Sequence, residues 1–131
     1  MLPLIADQGL AFIAYSPLAG GWLTGKYKRD QPSPSGSRMT LRPGPYEGLK
    51  TPETYRAIEA LAAMATEFGT SAGALALSWA CSHPAVTAAL VGPRNLEQLE
   101  LVEDALDVTL TPGDRKRILD RMETGAEAVP T

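Results

Sequence analysis

Only two segments of this chain read as β-strands, and that number limits what it can fold into. Leu10 to Tyr15 is a nearly continuous apolar run after Asp7-Gln8-Gly9, and Val86 to Val91 is a second. Runs of this kind suit strands covered on both faces, as in parallel sheets. The rest of the chain is largely helical in pattern. Thr51 is an N-cap candidate with Pro52 in the first turn, and Tyr55, Ile58, Ala62, Ala65 and Phe68 follow at spacings of three and four until Gly69. A second helix is expected from about Ser71 to Ser82, with Leu75 and Trp79 on one face and His83-Pro84 as its stop. Asn95 caps a third, carrying Leu96, Leu99, Val102 and Leu106, with Gln98 at the capping-box position. Thr111-Pro112-Gly113-Asp114 opens a fourth with Ile118, Leu119 and Met122 on one face, and the tail after Gly125 is expected to fray. Strands separated by helices point to an α/β fold with a parallel sheet. Two strands cannot close an eight-stranded barrel and are too few for an ordinary open doubly wound sheet. The expectation is therefore part of a larger α/β domain, or a domain completed by a partner.

Each strand runs into a loop with glycine and a cation. Tyr15 is followed by Ser16-Pro17-Leu18-Ala19-Gly20-Gly21-Trp22-Leu23-Thr24-Gly25-Lys26-Tyr27. Such a loop brings main-chain N–H groups, a hydroxyl and a positive charge to one anionic ligand. Ala88-Ala89-Leu90-Val91-Gly92-Pro93-Arg94-Asn95 repeats the grammar at the mouth of a helix, and two such elements suggest one shared site. From Arg29 to Thr51 the prolines Pro32, Pro34, Pro43 and Pro45 predict a long loop without regular structure. Loops of that length are often lids or connectors, so Ser37-Arg38 either folds over a ligand or is solvated.

Composition narrows the function classes. With 131 residues and 44% hydrophobic content the chain can bury a core, and a net charge of −3 argues against a general binder of nucleic acid or acidic membranes. A single cysteine, Cys81, excludes an internal disulfide, and with one histidine, His83, there is no metal-ligand cluster. Cys81 reads as small core packing, Trp79 as core, and His83 as a helix C-terminal residue favoured by the dipole. The acidic run Glu97, Glu100, Glu103 and Asp104 reads as a solvated helix face. No apolar run reaches the length of a membrane span and the first residues lack a secretory signal, so the expected setting is cytoplasmic, with no membrane and no nucleic-acid partner.

The stretch from Tyr15 to Tyr27 resembles the seventh strand and following loop of aldo-keto reductases, whose pattern there is close to Tyr-Ser-Pro-Leu-x-x-Gly-x-Leu-x-Gly-Lys-Tyr. Val91 to Leu99 is similar to the eighth strand and cofactor-binding helix, and Leu106 to Pro112 to the run into the last helix. The subgroup resembled includes bacterial enzymes and potassium-channel β subunits. The resemblance implies residues 1–131 are the C-terminal portion of a (β/α)₈ barrel that holds NADP(H), with two parallel strands, about four helices, and 29–51 as a loop or lid. It begins about two-thirds of the way into the family's length. By the same resemblance Tyr15 stacks on nicotinamide, Ser16, Leu18, Gly20 and Lys26 line the pyrophosphate side, and Pro17 belongs to the cofactor-binding set. Arg38 comes from the overlying loop, and Gly92, Arg94 and Gln98 hold the 2′-phosphate and adenine end. Leu101 and Val102 stand where relatives often carry an acidic residue and asparagine that read adenine. The family's Asp, Tyr, Lys and His tetrad lies in the first half of the barrel, so no catalytic residue is carried over. The implied function is the cofactor-binding part of an NADPH-dependent reductase of aldehydes or ketones, inactive as this chain alone. The alternative is a non-catalytic nucleotide-sensing or interaction protein. Self-association, or pairing with a separate N-terminal barrel piece, is a further expectation, since open strand edges invite association.

Overall fold

Capping chemistry sets where the long helices begin. In the computed structural model, which describes residues 1–125, α1 (Leu2–Asp7) leads into the first strand. After the short helix α2 (Arg38–Leu41) come α3 (Pro52–Glu67) and α4 (Ala72–Cys81). Thr51 Oγ1 accepts from the Thr54 N–H at 3.2 Å and Ser71 Oγ from the Ala74 N–H at 3.2 Å, each meeting a backbone donor that the first turn leaves unpaired. α5 (Leu96–Leu106) starts at Asn95, and α6 (Pro112–Thr124) starts in a complete capping box between Thr111 and Asp114. The expected fraying after Gly125 falls outside the described residues.

The strands are shorter than their apolar runs. β1 (Ile13–Ala14) pairs in parallel with β2 (Ala88–Ala89), Ile13 opposite Ala88 and Ala14 opposite Ala89. The Thr87 N–H donates to the Phe12 carbonyl at 2.8 Å and the Leu90 N–H to the Ala14 carbonyl at 2.9 Å, extending the contact by one residue at either end. Coverage on both faces does not hold: Ile13 is 60% and Leu90 58% exposed. The sheet has two strands among the described residues, so nothing in it pairs their outer edges or covers the second face.

Residues 29–51 are more ordered than their prolines suggest. α2 lies in this segment, and a 3₁₀ segment spans Gly44–Leu49. Pro45 sits in its first turn, where a missing N–H costs nothing.

α4 is the central element. Its small residues let α3, α5, β2 and a further 3₁₀ segment, Ala19–Thr24, pack against it. Leu61, Met64 and Ala65 of α3, Leu75 and Ala76 of α4 and Ile118 of α6 form one core cluster. Ala74 and Leu77 meet Ala105 of α5 in a second, and Trp22, Tyr27, Met39 and Ile58 form a third. Cys81 is exposed, not core, because the buried face of α4 ends at Ser78. Trp79 is half-buried and tied to α6: its Nε1–H donates to the Arg115 carbonyl at 3.0 Å, and the Arg115 guanidinium lies 4.5 Å over its ring. Arg115 also donates to the Trp79 carbonyl and to Ser82 Oγ, and its partial burial lowers its pKa from the ordinary arginine value. His83 lies just past the end of α4, its Nδ1 accepting from the Ala85 N–H at 3.1 Å.

Candidate functional site

Leaving β1, the backbone turns left-handed. Ser16 and Ala19 have φ of 52° and 48°, values that side chains other than glycine rarely adopt, and Gly20 and Gly21 follow at 66° and 92°. Both glycines allow close approach. A Cβ on Gly20 would lie 2.8 Å from the Tyr46 ring, and one on Gly21 2.6 Å from Lys26 Nζ. Tyr46 therefore lies across the loop, where its hydroxyl shares a 2.9 Å hydrogen bond with Ser16 Oγ. Tyr27 ties the loop to α2: its hydroxyl donates to the Gly20 carbonyl at 3.3 Å and accepts from the Met39 N–H at 3.4 Å.

The second strand leads into α5. Asn95 Oδ1 accepts from the Gln98 N–H at 2.9 Å, the expected cap. Gln98 Oε1, however, accepts from the Arg94 N–H at 2.8 Å, so the reciprocal bond closes one residue ahead of a standard capping box. Arg94 Nη2 donates to the Gly36 carbonyl at 3.0 Å, linking residues 58 apart and drawing the 29–51 segment across to α5.

These elements enclose a cavity of about 650 Å³. Every residue singled out from the sequence lines it: Tyr15, Ser16, Pro17, Leu18, Gly20 and Lys26 from the first loop, Arg38 from α2, and Gly92, Arg94 and Gln98 from the second. Arg42 and Tyr46 also line it and were not singled out. Arg42 carried no signal, because it closes a four-residue helix in a proline-rich segment that reads as irregular. Tyr46 carried none, because its place depends on a contact 30 residues away.

The charge of the lining is one-sided. Lys26, Arg38, Arg42 and Arg94 reach the cavity and no carboxylate does, in a chain with 15 acidic residues against 12 basic ones. None of these cations is ion-paired among the described residues, whereas Arg29, Arg56, Lys116, Arg117 and Arg121 all are. Unpaired cations facing a shared space favour an anionic ligand, and α5 adds the positive end of its dipole. No group of three metal-ligating side chains is found among the described residues. The donor set suits an anionic ligand such as one bearing phosphate.

A sequence model of the aldo/keto reductase family matches residues 1–121. The chain belongs to the aldo/keto reductase family. It is 34% identical over 135 aligned residues to a probable voltage-gated potassium channel subunit beta of Oryza sativa subsp. japonica, covering 98% of this chain and 39% of that protein. With the L-glyceraldehyde 3-phosphate reductase of Escherichia coli (strain K12) it shares 35% identity over 111 residues, covering 82% and 32%. A glycerol dehydrogenase structure from Gluconobacter oxydans superposes with a TM-score of 0.75 at 26% identity, over all of this chain and 40% of that one. The chain thus spans about a third to two fifths of the length of these relatives, and its fold is part of the aldo/keto reductase α/β barrel. Among the described residues no single helix is long and apolar enough to cross a membrane.

Proposed function

We propose that this chain is the cofactor-holding, C-terminal portion of an NADP(H)-dependent aldo/keto reductase and does not turn over substrate by itself. The observation that carries the reading is the cavity lined by Lys26, Arg38, Arg42 and Arg94 without one carboxylate. In it, Ser16, Pro17, Leu18, Gly20 and Lys26 hold the pyrophosphate, with Arg38 and Arg42 from the covering segment. Arg94 takes the 2′-phosphate at the start of α5, where a planar guanidinium donates two parallel bonds. Gly92 lets the backbone approach, Gln98 borders the base, and the exposed Tyr15 ring offers a face to nicotinamide. When bound, NADPH supplies a hydride to an aldehyde or ketone carbon, and these residues bind and orient it.

Proton delivery is the missing half. Reducing a carbonyl requires a tuned acid at oxygen. Tyr27 and Tyr46 have their hydroxyls engaged by backbone or Ser16, Tyr15 lines the cavity but has no hydrogen-bonded Lys or His beside it among the described residues, and His83 does not line the cavity. The relatives named as potassium channel β subunits favour a second reading, a nucleotide-binding protein that acts through contact with a partner.

The test is thermal protection and turnover on the same sample. NADPH is expected to raise the melting temperature and NADH much less, with no oxidation of NADPH in the presence of a reactive aldehyde. Arg94→Gln should weaken NADPH about tenfold or more and leave NADH unchanged. Absence of protection refutes the cofactor reading, and robust turnover refutes the inactivity. Recovery of turnover on adding an N-terminal barrel piece favours the reductase over the partner-binding reading.

A further inference from the structure

Exposed side chains gather on one face of the sheet. Burial alternates along β1 and its flanks: Ala11, Ile13 and Tyr15 are exposed, while Phe12 and Ala14 between them are half-buried. The register sets Ile13 opposite Ala88, so Ala88 and Leu90 share that exposed face. Ala89 and Val91 turn the other way and pack on Ala74, Leu77 and Ala105. Ile13 is 60%, Tyr15 81% and Leu90 58% exposed. Ala11, Ile13, Tyr15, Ala88 and Leu90 carry no charge, and the Tyr15 hydroxyl is the one polar side-chain group among them. Parallel sheets occur almost only with both faces covered, yet among the described residues only the α4 side is packed. A continuous bare apolar face of this kind marks a contact with another molecule.

We propose that a second copy of this chain covers this face, the two sheets packing face to face across a twofold axis at a spacing of roughly 10 Å. The occupant follows from what the face lacks. It holds no charge to select a partner of opposite sign, so its own apolar image is a surface it fits without burying an unpaired ion. The side chains on each copy present about 500 Å², so a pair removes about 1,000 Å² from water, which is the lower limit for a specific interface and makes the dimer a weak one. Tyr15 and Leu90 also line the cavity, so the second copy walls it on that side. Ile13 and Ala88 do not line it, and the proposal stands apart from the cofactor reading.

Sedimentation velocity of the 131-residue chain without nucleotide, from about 1 µM to about 500 µM, tests it. The weight-average mass is expected to rise from that of one chain toward that of two and no further, because a twofold contact closes on itself. Ile13→Lys places an unpaired charge in the contact and is expected to weaken the dimer about tenfold or more, with circular dichroism unchanged because Ile13 is exposed in the single chain. Ala88→Lys, on the other strand of the same face, is expected to do the same. Leu106→Lys, at an 81% exposed position on α5, is expected to leave the dimer intact. A chain that stays monomeric across the range overturns the proposal, and so does a mass that grows past two. A dimer that Leu106→Lys weakens as much as the two sheet variants do overturns it as well. A monomer that forms a one-to-one complex with a separate N-terminal barrel piece shows that strands of another chain are the occupant, and overturns it too.

Discussion

Gly20→Ala probes the cavity floor and its cover together. Gly20 has φ of +66°, where an L side chain costs about 1 kcal/mol. The added Cβ would also stand 2.8 Å from the Tyr46 ring, well inside ordinary van der Waals contact, and the ring is held by the bond between Tyr46 and Ser16. Overpacking of this kind costs about 1–3 kcal/mol, giving a total near 2–4 kcal/mol. For a chain of this size that is a fall of roughly 5–20 °C in melting temperature. Gly36→Ala is the control, since its φ is +72° but nothing lies within 4 Å of the new Cβ, and it should cost only about 1 kcal/mol. Combining Gly20→Ala with Tyr46→Ala removes the clash and leaves the dihedral cost, so a double-mutant cycle in urea should show a coupling of about 1–3 kcal/mol. The reasoning is refuted if Gly20→Ala is no worse than Gly36→Ala, or if the cycle is additive.

Leu61, 1% exposed between α3, α4 and α6, should lose about 2–5 kcal/mol on truncation to alanine, seen as a lower urea midpoint at constant slope. The Asp114 carboxyl is held below the usual aspartate pKa, first by the Thr111 hydroxyl and then by the Thr111 N–H. It therefore stabilises the folded state above its unfolded-state pKa of about 4, and that contribution disappears as pH falls through the depressed folded value. Asp114→Asn should flatten this part of the stability-versus-pH curve, and identical acid limbs for variant and parent would count against the assignment.

The helices were legible because their start signals are local. Thr51, Ser71, Asn95 and Thr111 each accept a bond from the N–H three residues on, and the residues involved are adjacent in sequence. The strands were legible in place but not in length, since a strand's extent depends on neighbours: Leu10 and Leu90 have the apolarity of covered residues and stand exposed. α2 escaped notice because four residues are too few to display a helical period. At the cavity, the glycines and cations announced themselves by type and spacing. The 2.8 Å bond that engages Gln98 with the Arg94 backbone did not, because capping-box patterning points one residue later.

The two cavity-lining loops do not hold each other in place through the sheet, which joins only two residue pairs. α4 sets their separation, with the Ala19–Thr24 segment seated on one side and α5 on the other. At Gly73 a Cβ would stand 2.6 Å from Leu101 Cδ1 and 3.3 Å from Thr24 Cγ2, so the bare backbone at this position fixes how close the two walls come. One extra methyl on that helix, remote from any ligand, would change the spacing of both walls at once.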